Sequence, residues 1–393
     1  MNNFMINLKV KIIFMFAMVF TFLFSFQPEN SFNKCVWIKS DSMKDKKSVE
    51  EALFFAYEYD FDTVFLQVRY RGDAFYDSKH VIKNSLIEED FNPLDYAVKL
   101  GHSLGLEVHA WVNVYILWSS PYLPKNKSHT YYSNPDWMEV NIHGKSDSSI
   151  DMNNPQSENW EGVFLSPNHP EVNQHLVSVF SEILNSYNID GLHFDYIRFQ
   201  DDIYGFNRKG RRFFEEKYSF DPIDIERNII STKYGWKQTE IDSMQNIWNN
   251  YKINNINNLL IEVKNLVDSL DSNVQISAAV KPDPFLAKKK WSQDWKYWLD
   301  EELIDFVVVM NYMPDMIDFN YSIESIKSNI DKDSFNKILM GISIYNQDAI
   351  NVSDKIYLSY LYNFRGISLF SYDNRKDDLF WYNDIIDIFQ IIE

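Results

Sequence analysis

Apolar residues fall into eight short runs along the chain, at 36–38, 63–69, 106–113, 191–195, 274–280, 306–312, 338–344 and 366–371. Most are apolar on nearly every position, as in strands buried on both faces. Between them lie stretches with helical spacing, such as 93–104, 170–187, 246–270 and 291–303. Strands alternating with helices predict a parallel sheet covered by helices, and eight such units predict a (β/α)8 barrel of the TIM type. An open doubly wound sheet is the alternative, but no Gly-rich dinucleotide turn follows the first run. Two connections, 114–168 and 196–245, are too long for plain barrel loops, and long excursions at strand ends usually build binding surfaces.

The run at 191–195 is the most informative. With a period of two, Gly191, His193 and Asp195 share one face, and Leu192 and Phe194 share the other. An apolar face would pack outward on helices, and the polar face would end in a carboxylate at the cleft. A lone Asp at a strand end can equally cap the next helix. Similar tips recur, however. Arg69 and Asp73 follow the second run, His109, Trp111 and Asn113 end the third, Arg198 follows the fourth, and Asn311, Tyr312 and Asp315 end the sixth. Any one could satisfy a buried network; together they predict an active site at the carboxyl ends of the strands.

Carboxylates among Tyr, Trp, His, Asn and Arg, without a phosphate loop or thiol nucleophile, suit glycoside hydrolysis, which needs two carboxyl groups flanking a sugar. Asp195 is the first. Asp315 is the leading candidate for the second, followed by Asp283 and Asp73. Arg69, His193 and Arg198 are expected to tune Asp195, and Trp111, Asn113 and Tyr312 to hold sugar rings and hydroxyls. The rival is a non-catalytic surface glycan-binding protein on the same fold. A metal-dependent deacetylase would need groups such as His193, Asp195 and His109 to meet at one ion; neither cofactor nor metal is expected. No Gly-x-Ser-x-Gly elbow is present. Trp291, Trp295 and Trp298 have the spacing of one helix face and read as core packing.

The loop aromatics Tyr115, Trp118, Tyr122, Tyr131, Tyr132 and Trp137 are either stacking platforms or the loop's own core. A net charge of −18 with no basic stripe excludes a nucleic-acid partner and leaves a carbohydrate as the expected one. The only cysteine, Cys35, allows no internal disulfide and reads as a buried small hydrophobe. Lys9 and Lys11 precede an apolar run at 12–26, the pattern of an export signal. The expected division is therefore a signal or anchor over 1–29 and one domain over 30–393, outside the cytoplasm. It would touch a membrane only through the first segment, if that is uncleaved.

The ordered blocks 67–76, 93–95, 105–113, 168–172, 190–198, 293–295, 310–312 and 366–372 resemble the bacterial glycosyl-hydrolase-like family 10. The resemblance implies a barrel glycosidase, secreted or surface-attached, acting on a carbohydrate. It places the fourth-strand Asp at Asp195, the sixth-strand region at Asn311, Tyr312 and Asp315, and adds Tyr372 to the substrate-binding candidates. The chain departs from the family pattern at Val114, at Val309 and at Gln200, where proline usually follows the aromatic residue.

Overall fold

The computed structural model describes residues 32–153, 160–227, 229, 233–270 and 273–392, so the apolar segment at 12–26 lies outside the described residues. The eight apolar runs form the strands β1 (Asn33–Ile38), β2 (Thr63–Tyr70), β3 (Glu107–Asn113), β4 (Gly191–Asp195), β5 (Gln275–Val280), β6 (Phe306–Met310), β7 (Ile338–Ser343) and β8 (Gly366–Phe370). Each pairs in parallel with its neighbours in chain order, and β1 pairs with both β8 and β2. The sheet is a closed (β/α)8 barrel, with no free parallel edge to protect.

The helices that follow the strands are α1 (Lys46–Glu58), α2 (Pro93–Ser103), α3 (Pro170–Ser186), α4 (Gln238–Ser269), α5 (Trp295–Asp300), α6 (Met316–Asn329), α7 (Ala349–Leu361) and α8 (Asn383–Ile392). Several begin where a side chain accepts from the first free backbone N–H groups and proline takes the first helical position, as at Asn92–Pro93 and His169–Pro170. Leu192 and Phe194 join the large cluster between sheet and helices, where Phe194 meets Phe180 of α3. The opposite face builds a smaller interior cluster from Cys35, Trp37, Phe65, Trp111, Phe306, Val308 and Leu339, with Tyr312 and Phe370 above it. Cys35 is buried there as a small hydrophobe.

The helical pattern expected over 291–303 is broken. A short helix Pro284–Trp291 ends at Ser292, whose φ of +53° leaves the helical region, and α5 starts at Trp295. Trp295 and Trp298 are core residues as expected. Trp291 is not on their face; it comes to lie under the Lys281 ammonium, 5.0 Å from its ring centre.

Both long connections sit at the carboxyl ends of the strands. The one after β3 is anchored by a short antiparallel pair, Ile116–Trp118 with Val163–Phe164. The one after β4 carries the helices Arg208–Tyr218 and Pro222–Glu226, which bury Phe206, Phe214 and Phe220 against Trp248 of α4. At 32 residues, α4 spans roughly 48 Å, so its first half can support this excursion while its second half covers the barrel.

Candidate active site

Asp195 ends β4 with its carboxylate half-buried. Oδ2 accepts from the indole Nε1 of Trp111 at 3.3 Å, and Oδ1 accepts from the backbone N–H of Tyr196 at 2.7 Å. Tyr196 holds φ at +54°, a conformation a bulky residue adopts only when its surroundings impose it. Burial pushes the Asp195 carboxyl up to about 6; the Arg198 guanidinium and the two donors oppose that rise, and Glu161 adds to it. Burial therefore outweighs the nearby cation, so Asp195 holds its proton at a higher pH than a carboxylate kept ionised by Arg198 would.

Glu161 is a second carboxyl near Asp195 that the pattern of strands did not reveal. It lies in the excursion after β3, immediately before the Val163–Phe164 strand. Its Oε2 accepts from Nη2 of Arg198 at 2.6 Å, and Arg198 is almost fully buried beside the rings of Tyr196 and Phe164. Gly162 permits this path: its φ is +150°, and a β-carbon there would lie 2.4 Å from the carbonyl oxygen of Trp118. One guanidinium is thus bonded to Glu161 and acts through space on Asp195.

Lys281, at the end of β5, completes the charged group. Burial and then Arg198 lower it to about 8, while Glu161 and Asp195 favour its charge. Tyr312 stacks on Phe370 at 5.3 Å, and its hydroxyl is held well above its ordinary range by burial and then by Asp195. Asp195, Glu161, Arg198, Lys281, Trp111 and Tyr312 therefore share one end of the barrel.

Most of the remaining sequence candidates lie elsewhere, although Asn113 pairs in register with Asp195. His193 is on the interior face, but one layer down: Trp37 donates to its Nε2 at 3.3 Å, Ser277 Oγ meets Nδ1 at 2.9 Å, and Phe65 covers the ring. Burial holds it neutral. His109 is lower still, opposite Gly191 and against Phe65 and Phe306. His193, Asp195 and His109 thus do not converge, and among the described residues no group of His, Cys, Asp or Glu is arranged to hold a metal ion. Asn113 accepts from Gln67 at 3.3 Å inside the barrel mouth. Asn311 donates to the Phe319 carbonyl of α6, and Tyr372 packs on Phe55 of α1.

Arg69 leaves the expected face because the β2–β3 register slips by one residue between Gln67 and Arg69. Its guanidinium instead donates to the carbonyls of Asn113 and Val114. Asp315 caps α6, accepting from Ile317 N–H at 2.8 Å, and its charged neighbour is Lys355. Asp283 likewise caps the helix Pro284–Trp291. Asp73, raised to about 6 chiefly by burial, accepts from Asn84 and lies 3.6 Å from His129. It lines a cleft of about 320 Å³ with Arg71, Trp118, Tyr122 and Leu123. Of the loop aromatics, Tyr115 and Trp137 are buried in the main cluster with the sheet and its helices, whereas Tyr122 is 81% exposed.

Behind the excursion two acids are fully buried. Burial pushes Glu139 up to about 8 and Asp147 to about 7. Unfolded, both titrate near about 4. Between those values the folded chain holds protons that the unfolded chain has released, so stability falls as pH rises and is lost through 7 to 8. His175, lowered to about 4, acts the other way, but only below about 6.5. The thermal midpoint should therefore drop between pH 6.5 and 8.5 in a melting series, and Glu139→Gln should flatten that drop.

The glycosyl hydrolase-like 10 family model matches residues 32–359. The chain is 21% identical over 284 residues to glycosyl hydrolase DigH of Escherichia coli K12, covering 64% of this chain and 55% of that protein. It is 22% identical over 268 residues to glycosyl hydrolase YngK of Bacillus subtilis, covering 64% and 46%. The chain thus spans about half the length of these relatives. Among solved structures it is similar in fold to the PgaB (BpsB) glycoside hydrolase domain from Bordetella bronchiseptica, with a TM-score of 0.66 at 14% identity over 91% of this chain and 99% of that one. The catalytic domain of β-amylase from Paenibacillus polymyxa gives 0.55 at 9% identity, over 92% and 99%. On the match that runs from β1 into α7, the chain belongs to the glycosyl hydrolase-like 10 family.

Proposed function

We propose that the chain hydrolyses a glycosidic bond with Asp195 and Glu161 as its two carboxyl groups. The observation that supports this most directly is Arg198, whose guanidinium is bound to Glu161 and lowers the proton affinity of Asp195. The two acids sit in different surroundings, and such a difference is what divides acid from base in a carboxyl pair. Asp195, raised to about 6, supplies its proton to the glycosidic oxygen as the bond from that oxygen to the anomeric carbon breaks. Glu161 acts at the anomeric carbon, by direct attack or by taking a proton from water. The anomer first released tells these apart, because direct attack retains configuration and activated water inverts it. Lys281 and Tyr312 are placed to hold hydroxyl groups, and Trp118 and Tyr122 offer ring faces to further sugar units.

The substrate is a poly- or oligosaccharide met outside the cytoplasm, on the strength of the apolar run at 12–26. The test is release of new reducing ends from a panel of bacterial and plant polysaccharides. Cleavage of one class supports the reading. Binding without any release would instead make the protein a glycan-binding relative of these enzymes.

A further inference from the structure

Gln200 has a fully committed side chain. Its Oε1 accepts from the backbone N–H of Glu161 at 2.7 Å and of Gly162 at 3.3 Å. Its Nε2 donates towards both oxygens of Asp147, at 3.4 and 3.3 Å. Two backbone donors demand the oxygen on one side, which leaves the nitrogen to face Asp147 on the other, so the amide has one orientation. Asp147 is fixed in turn: Trp160 Nε1 donates to Oδ1 at 3.0 Å and the Phe164 N–H to Oδ2 at 3.1 Å. Both residues are buried.

The loop after β4 therefore grips the segment 160–162 twice. Arg198 holds the Glu161 side chain, and Gln200 holds its backbone, with Asp147 bracing Gln200 from behind. The same loop begins with Asp195. A span of six residues thus sets the position of one acid relative to the other. We infer that Gln200 and Asp147 are positioning residues that keep Glu161 against Arg198 and Asp195. This rests on the reading of Glu161 as the second carboxyl group. An ordinary buried network would stabilise the loop equally well wherever Glu161 pointed, so the two roles predict different effects on Asp195.

Asp195 is the reporter. The groups that face it are Arg198 and Glu161, with Lys281, Tyr196, Trp111 and Tyr312 around them. Loss of the Glu161 charge removes a like charge and frees Arg198 for Asp195, and both effects favour the ionised form. In full-length protein carrying 13C-labelled Asp, assigned with Asp195→Asn, the Asp195 titration midpoint should fall by about one pH unit in Glu161→Gln. Gln200→Leu and Asp147→Asn, which leave Glu161 chemically intact, should lower it in the same direction by at least about half as much. Ser359→Ala, a buried change in α7, should leave it in place. An unmoved midpoint in Gln200→Leu and Asp147→Asn, alongside a shift in Glu161→Gln, overturns the positioning role. If Gln200→Leu does not fold, Asp147→Asn carries the test. Retained reducing-end release in Asp195→Asn, with the midpoints moving as stated, would remove Asp195 from the reaction and leave the positioning role standing.

Discussion

Replacing Asp195 with Asn lowers reducing-end release by about a hundred- to ten-thousandfold, the usual contribution of a positioned proton donor. The carboxamide keeps the shape of the group and its one oxygen can still accept from either Trp111 or Tyr196, but it has no acidic proton to give. The loss should depend on the leaving group. An aryl glycoside with a nitrophenol leaves without protonation, so on that substrate the variant should recover most of the wild-type rate. The wild-type rate on the unactivated substrate should fall tenfold per pH unit above about 6, because only protonated Asp195 is productive and burial sets its midpoint there. An Asp195→Asn enzyme as slow on the aryl glycoside as on the polysaccharide would remove Asp195 from the acid role.

Glu161→Gln gives the second large effect, with the opposite dependence on the substrate. A group acting at the anomeric carbon is needed whatever the leaving group, so both substrates should slow by about a hundredfold or more. The variant also leaves the buried Arg198 without its acid partner. Arg198 then acts on Asp195 alone, and the alkaline fall in rate should begin at lower pH. Far-ultraviolet circular dichroism would separate this from misfolding, since Glu161 reaches the surface and belongs to no apolar cluster. Full activity in Glu161→Gln would return the search to the remaining carboxyl groups at the barrel mouth.

The barrel was legible because its strands are buried on both faces and therefore read as continuous apolar runs, and their ends fell within a few residues of those expected. The position of Asp195 followed from the same periodicity. That periodicity names a face but not a height. His109 shares the interior face with Asn113, yet four residues along a strand put it roughly 13 Å lower, in the core. Arg69 leaves the face its spacing predicts for a different reason: a single-residue slip turns a side chain to the other face, and nothing in a string of apolar letters announces a bulge. Asp315 and Asp283 serve as caps because the residue just past a barrel strand is also where the next helix needs one. Glu161 was hidden because an excursion has no period to follow. Its only local signal was a Trp-Glu-Gly before an apolar pair, and its partner is thirty-seven residues away.

At the bottom of the barrel, Gly191 begins the strand that ends in Asp195. A β-carbon at that position would lie 2.0 Å from Nδ1 of His109. The imidazole occupies the volume that any larger residue at 191 would claim, so the two positions cannot drift independently. Mutation must proceed in a fixed order. Gly191→Ala alone should fail to accumulate as soluble protein, whereas His109→Ala clears the space and lets the same change through. Descent along this lineage therefore has a ratchet: once a side chain settles at 191, the ring at 109 cannot return.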